Sequence, residues 1–145
     1  MNSKNLWIAA GSGAVLTTLF SNLPFIGILN CVLCAWFWAG GMFAIWLYRR
    51  LGSEMPTMRQ ALTIGGLTGL LAGLLGFALS FTGVSGLQGM MQGLPADATS
   101  GMQDIPAWGV IVFNVMGVIF NIVFGTLGGC LAVTIFTRTR KPAAA

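Results

Sequence analysis

The sequence predicts an all-α polytopic membrane protein, with four transmembrane helices forming a single domain over residues 1–145, and three observations predict it. Of the 145 residues, 56% are hydrophobic and only 7% are charged, against about 25% charged in an ordinary soluble domain. The charges stand in short clusters, and the apolar stretches between them match the roughly 20 residues that a helix needs to cross hydrocarbon. Those stretches are continuous rather than alternating. Inside a bilayer every backbone polar group must be satisfied within a helix or a closed barrel, and continuous apolar runs select helices.

The first span is expected over about residues 6–23 and ends at Pro24; the second covers about 25–48 and stops before Arg49 and Arg50. The third runs over about 61–81. The fourth, over about 107–136, is entered through Pro106, which suits a helix start because proline has no N–H to leave unpaired there. An outer loop, residues 82–105, joins the last two. Lys4 ahead of an apolar run resembles a signal peptide, but no small-residue cleavage site precedes Pro24, so the first helix is expected to be retained.

Orientation follows from charge. All seven basic residues, Lys4, Arg49, Arg50, Arg59, Arg138, Arg140 and Lys141, fall at the amino terminus, in the loop between spans two and three, or in the carboxyl tail. Basic residues in short loops stay cytoplasmic. Both termini are therefore expected in the cytoplasm of a multi-pass protein of the cell (inner) membrane. Trp7, Trp46 and Tyr48 near the inner interface and Trp108 near the outer one fit the same frame. The net charge of +4 is thus an orientation signal; the expected partner is the lipid bilayer, and no nucleic acid.

Gly40-Gly41-Met42-Phe43-Ala44 with Tyr48 and Arg50 recurs as Gly128-Gly129-Cys130-Leu131-Ala132 with Phe136 and Arg138 at the same spacing. Two parallel helical-hairpin repeats would produce this, about an axis along the membrane normal. So would the ordinary use of small residues and a terminal arginine in membrane helices.

Gly65, Gly69 and Gly73 recur every fourth residue on the third span, leaving one face nearly bare. Lipid provides no hydrophobic force between helices, so close packing through small-xxx-small faces takes its place. The fourth span offers a complement in Asn114, Gly117, Asn121, Gly125 and Gly129. An amide at the depth of Asn121 is costly unless bonded, and a hydrogen bond across the helix interface is the expected solution. No Asp, Glu, Lys, Arg or His falls within any span, which removes the usual residues of proton relays, voltage sensors and charge-paired ion transport.

Cys31-Val32-Leu33-Cys34 is the one motif with chemistry in it. At a helix amino terminus the dipole favours a reactive thiolate. With the four-helix topology and a long outer loop, this pair resembles the DsbB-like disulfide-forming quinone oxidoreductases, and that resemblance implies a quinone cofactor and redox roles for Cys31 and Cys34. The second cysteine pair of those enzymes has no counterpart, since no cysteine lies between Cys34 and Cys130, and Ala35 to Ala39 lacks their basic residue. Asn30-Cys31-Val32-Leu33-Cys34-Ala35-Trp36, followed by Gly40-Gly41 and Tyr48-Arg49-Arg50, also resembles a group of small prokaryotic four-helix membrane proteins with an NCxxC-aromatic motif, which implies a fold rather than an activity. If the helix begins near Pro24 instead of Asn30, the pair is buried, and cysteine then serves as a small apolar residue. Met90, Met91 and Met102 of the outer loop carry soft sulfur, but so few ligands make no copper site, and no metal is expected.

With no complete catalytic constellation, the expected function is a noncatalytic integral membrane scaffold or accessory subunit that packs with itself, as a homo-oligomer, or with a larger membrane complex, and needs no cofactor. A thiol or quinone oxidoreductase using Cys31 and Cys34 is the alternative. A small neutral-solute channel or transporter, suggested by Asn114, Asn121 and the possible parallel repeat, is the third.

Overall fold

The computed structural model describes residues 3–22, 35–52, 55–81 and 106–138, and among them the chain is helical, with no strand. Its helices are α1 (Ser3–Asn22), α2 (Ala35–Gly52), α3 (Met58–Phe81) and α4 (Ala107–Arg138). Two of them are long and apolar enough to cross a membrane, Met58–Phe81 with a mean hydropathy of 1.9 and Trp108–Arg138 with 2.2. α1 and α2 do not reach that standard over the described residues. The expected outer part of the second span, with Cys31 and Cys34, and the outer loop with Met90, Met91 and Met102 lie outside the described residues.

Local chemistry sets the helix starts. At α3 the Gln60 N–H donates to Thr57 Oγ1 at 3.4 Å, and the Thr57 N–H donates to Gln60 Oε1 at 2.9 Å. This reciprocal capping box satisfies two amide donors that the first turn leaves without carbonyl partners. At α4 the Pro106 carbonyl accepts the Gly109 and Val110 N–H groups at 2.8 and 3.4 Å.

Polar side chains within the helices turn back on their own backbone. Thr17, Thr18, Thr63, Thr68, Thr126, Thr134 and Thr137 each donate to the carbonyl four residues earlier. That bond satisfies a hydroxyl without water or a neighbouring helix, and apolar surroundings favour it. The methyl group of each threonine is then left for packing.

α1 packs on α2 and α3, α4 packs on the same two helices, and the α3–α4 contact is the most extensive; α1 and α4 barely touch. α2 and α3 therefore form the shared middle. A twofold relation between the hairpins α1–α2 and α3–α4 would make the α2–α3 and α1–α4 contacts equivalent, and they are not. The core is built largely of small and medium side chains from all four helices, among them Ala9, Ala44, Ile45, Ala61, Ile64 and Ala132, with the Tyr48 ring joining it.

Candidate functional site

The α3–α4 contact is made where side chains are missing. A Cβ placed on Gly69 would run into the Asn121 carbonyl oxygen and stand 2.8 Å from Ile122 Cα. One on Gly65 would meet the Gly125 carbonyl, and one on Gly73 would stand 2.9 Å from Val118 Cα. In return, a Cβ on Gly125 would lie 2.7 Å from the Gly65 carbonyl oxygen, and one on Gly129 would lie 2.7 Å from that of Ala61. These are backbone neighbours that cannot rotate away, so even a methyl group forces the helices apart.

Two of the expected packing residues behave differently. Asn121 sits in the contact, but its amide does not bond across it: Nδ2 donates to the Gly117 carbonyl of its own helix at 2.9 Å. The reason is what stands opposite. Gly69 brings no polar side chain to pair with, whereas the carbonyl one turn back is within reach. Asn114 does the same with Val110 at 2.8 Å. Gly117 is outside the contact altogether, since a Cβ built there meets nothing within 4 Å. Spacing by fours places residues on one face, but over several turns that face drifts off the line of a crossing helix.

The sequence pattern also left out half of the junction. A Cβ on Gly41 of α2 would collide with the Gly125 carbonyl and stand 3.0 Å from the Gly129 nitrogen, and one on Gly128 would stand 2.5 Å from the Trp38 carbonyl oxygen. The two Gly-Gly pairs that look like a repeat thus meet at one helix crossing. On the other side, a Cβ on Gly13 of α1 would lie 2.8 Å from the Gly40 carbonyl oxygen and 2.9 Å from Thr68 Cγ2, while one on Gly40 would collide with Thr17 Oγ1. Gly40 and Gly41 face opposite neighbours and join both sides of the bundle through α2.

Beside the junction, Trp38 lies 6.0 Å from Phe124 and Phe120 lies 6.2 Å from Phe124 between ring centroids. Trp38 Nε1 is buried without a hydrogen-bond partner among the described residues. At the other end, the Arg49 guanidinium stands 5.8 Å above the Phe136 ring and Arg50 stands 5.3 Å above Trp46, contacts of cation–π range. Asn5 Nδ2 donates to the Leu51 carbonyl at 3.2 Å, bringing the amino-terminal turn of α1 to the same end. Cys130 is a free thiol, partly buried on α4. Among the described residues, no three His, Cys, Asp or Glu side chains are grouped to hold a metal ion. No family model matches the chain, and no curated protein or solved structure matches it.

Proposed function

We propose that the chain is a multi-pass protein of the cell membrane, with both termini cytoplasmic, and that it is a noncatalytic scaffold or accessory subunit packing with copies of itself or with a larger membrane complex. The observation that carries this is the first half of α4. Val110, Ile111, Val112 and Phe113 are 49%, 53%, 53% and 69% exposed. Successive residues turn by about 100°, so these four cover nearly the whole circumference. A helix apolar on every side has to be surrounded by lipid or protein. The interior of the bundle is rigidly spaced by glycine contacts, which suits a part that holds a shape.

Purification of the full chain in mild detergent, with a photoreactive residue in place of Phe113, is expected to give a crosslinked homo-oligomer or a defined larger complex. A monodisperse monomer without adduct would refute the scaffold. The Cys31→Ala, Cys34→Ala double variant is expected to insert and to retain the same complex. Quinone reduction that disappears in this variant would replace the scaffold by the oxidoreductase.

A further inference from the structure

α1 carries a feature that the glycine junction does not use. Along its outward side runs an open groove of about 650 Å³, lined by Trp7, Gly11, Val15, Leu19 and Phe20 among others, with Phe43 of α2 as its second wall. Apart from the Trp7 indole N–H, only the Ser12 hydroxyl brings a polar side-chain group to the lining. The floor is low at Gly11, where a Cβ would meet nothing within 4 Å. From Trp7 to Phe20 the groove runs about 20 Å at the helical rise, enough to accompany an acyl chain through one leaflet, which is about half of the roughly 30 Å hydrocarbon thickness.

The groove has a charged end. Phe43 stacks on Trp46 with centroids 5.6 Å apart, and the Arg50 guanidinium stands 5.3 Å over the Trp46 ring. The Asn5–Leu51 hydrogen bond and the Gly13–Gly40 contact set the antiparallel register of α1 and α2. That register puts Arg50 about level with the turn preceding Trp7, where Lys4 also lies. Arg50 is exposed. A guanidinium resting on an indole face still presents its N–H edge, the geometry that binds a phosphate through two parallel hydrogen bonds. Phe43, the one groove residue on α2, is thus linked through the Trp46 ring to the Arg50 cation near the end of that helix.

We propose that this groove holds one acyl chain of an anionic phospholipid, with the lipid phosphate bound by Arg50. The proposal rests on the membrane placement above and adds a specific lipid to it. Charge complementarity selects the occupant: a zwitterionic lipid would fill the trough equally well but gain less from Arg50, and free phosphate would gain nothing from the trough.

The test is native mass spectrometry of the full chain, purified in mild detergent and titrated with dioleoylphosphatidylglycerol, dioleoylphosphatidylcholine or inorganic phosphate. The phosphatidylglycerol adduct is expected to exceed the phosphatidylcholine adduct, and phosphate is expected to give none. Arg50→Gln should lower phosphatidylglycerol retention about fivefold, the scale of one basic residue near a lipid surface, and leave phosphatidylcholine unchanged. Arg49→Gln, which removes the same charge beside Phe136 instead, should change neither. Gly11→Leu fills open space, so it should leave the fold intact while abolishing both lipid adducts. Equal retention of the two lipids, or full phosphatidylglycerol retention by Gly11→Leu, would overturn the site. A chain released from membranes by carbonate washing would overturn the membrane placement as well; one that stays in membranes but shows no lipid preference overturns only the lipid site.

Discussion

At the residue scale, one methyl group has opposite consequences at glycines that look alike in sequence. Gly117 and Gly125 are eight residues apart on α4, but a Cβ at the first meets nothing within 4 Å and at the second stands 2.7 Å from the Gly65 carbonyl oxygen. Gly117→Ala is therefore expected to be neutral or to stabilise by up to about 1 kcal/mol, the helix-propensity difference. Gly125→Ala should destabilise by about 1–3 kcal/mol, as overpacking does. The same contrast applies on α3, where Gly69 faces Asn121 and Ile122 while Leu70 is exposed. Gly69→Ile should lower thermal stability in detergent far more than Leu70→Ile. Equal melting temperatures within either pair would remove the glycine contact as a source of stability. The glycine stripe itself was legible from its spacing. The behaviour of Gly117 and Asn121 was not, because a one-dimensional pattern does not say where two helix axes diverge or which acceptor an amide will find first.

At the element scale, helix ends follow rules that operate within a few residues. Thr57 and Gln60 show the T-x-x-Q spacing of a capping box, and both of its hydrogen bonds form. Thr57→Ala should cost about 1 kcal/mol of stability, the usual loss on removing such a cap, while Thr57→Ser should preserve most of it. Thermal unfolding of the three proteins in one detergent measures the difference, and an unaffected alanine variant would mean that α3 is held by packing alone. Pro106 similarly marks the start of α4 in the sequence and in the structure. Longer-range pairings were less accessible: Gly40-Gly41 and Gly128-Gly129 stood out as a similarity, and only the packing shows that they touch.

At the scale of the whole molecule, Lys4, Arg49, Arg50, Arg59 and Arg138 belong to helix termini gathered at one end of the bundle, as the Asn5–Leu51 hydrogen bond and the Arg49–Phe136 contact require. Under the topology proposed here this is the cytoplasmic end. Reporter fusions at Met1 and Ala145 should accordingly show cytoplasmic activity, and a tag inserted near Ala98 should be reached by impermeant reagents from outside. Cytoplasmic accessibility of the tag near Ala98 would overturn the four-span arrangement.

The amino-acid sequence by itself determined the all-helical class and the entry to α4 at Pro106. Those features depend on composition and on interactions within about four residues, which are written consecutively along the chain. Only the tertiary structure decided that α2 and α3 form the middle of the bundle, that Gly13, Gly40 and Gly41 join the close contacts, that Asn121 bonds within its own helix, and that Gly11 lies in an open groove. Each of these depends on where helices cross, and a crossing is set by the combined shapes of two surfaces, which no periodicity within one helix specifies.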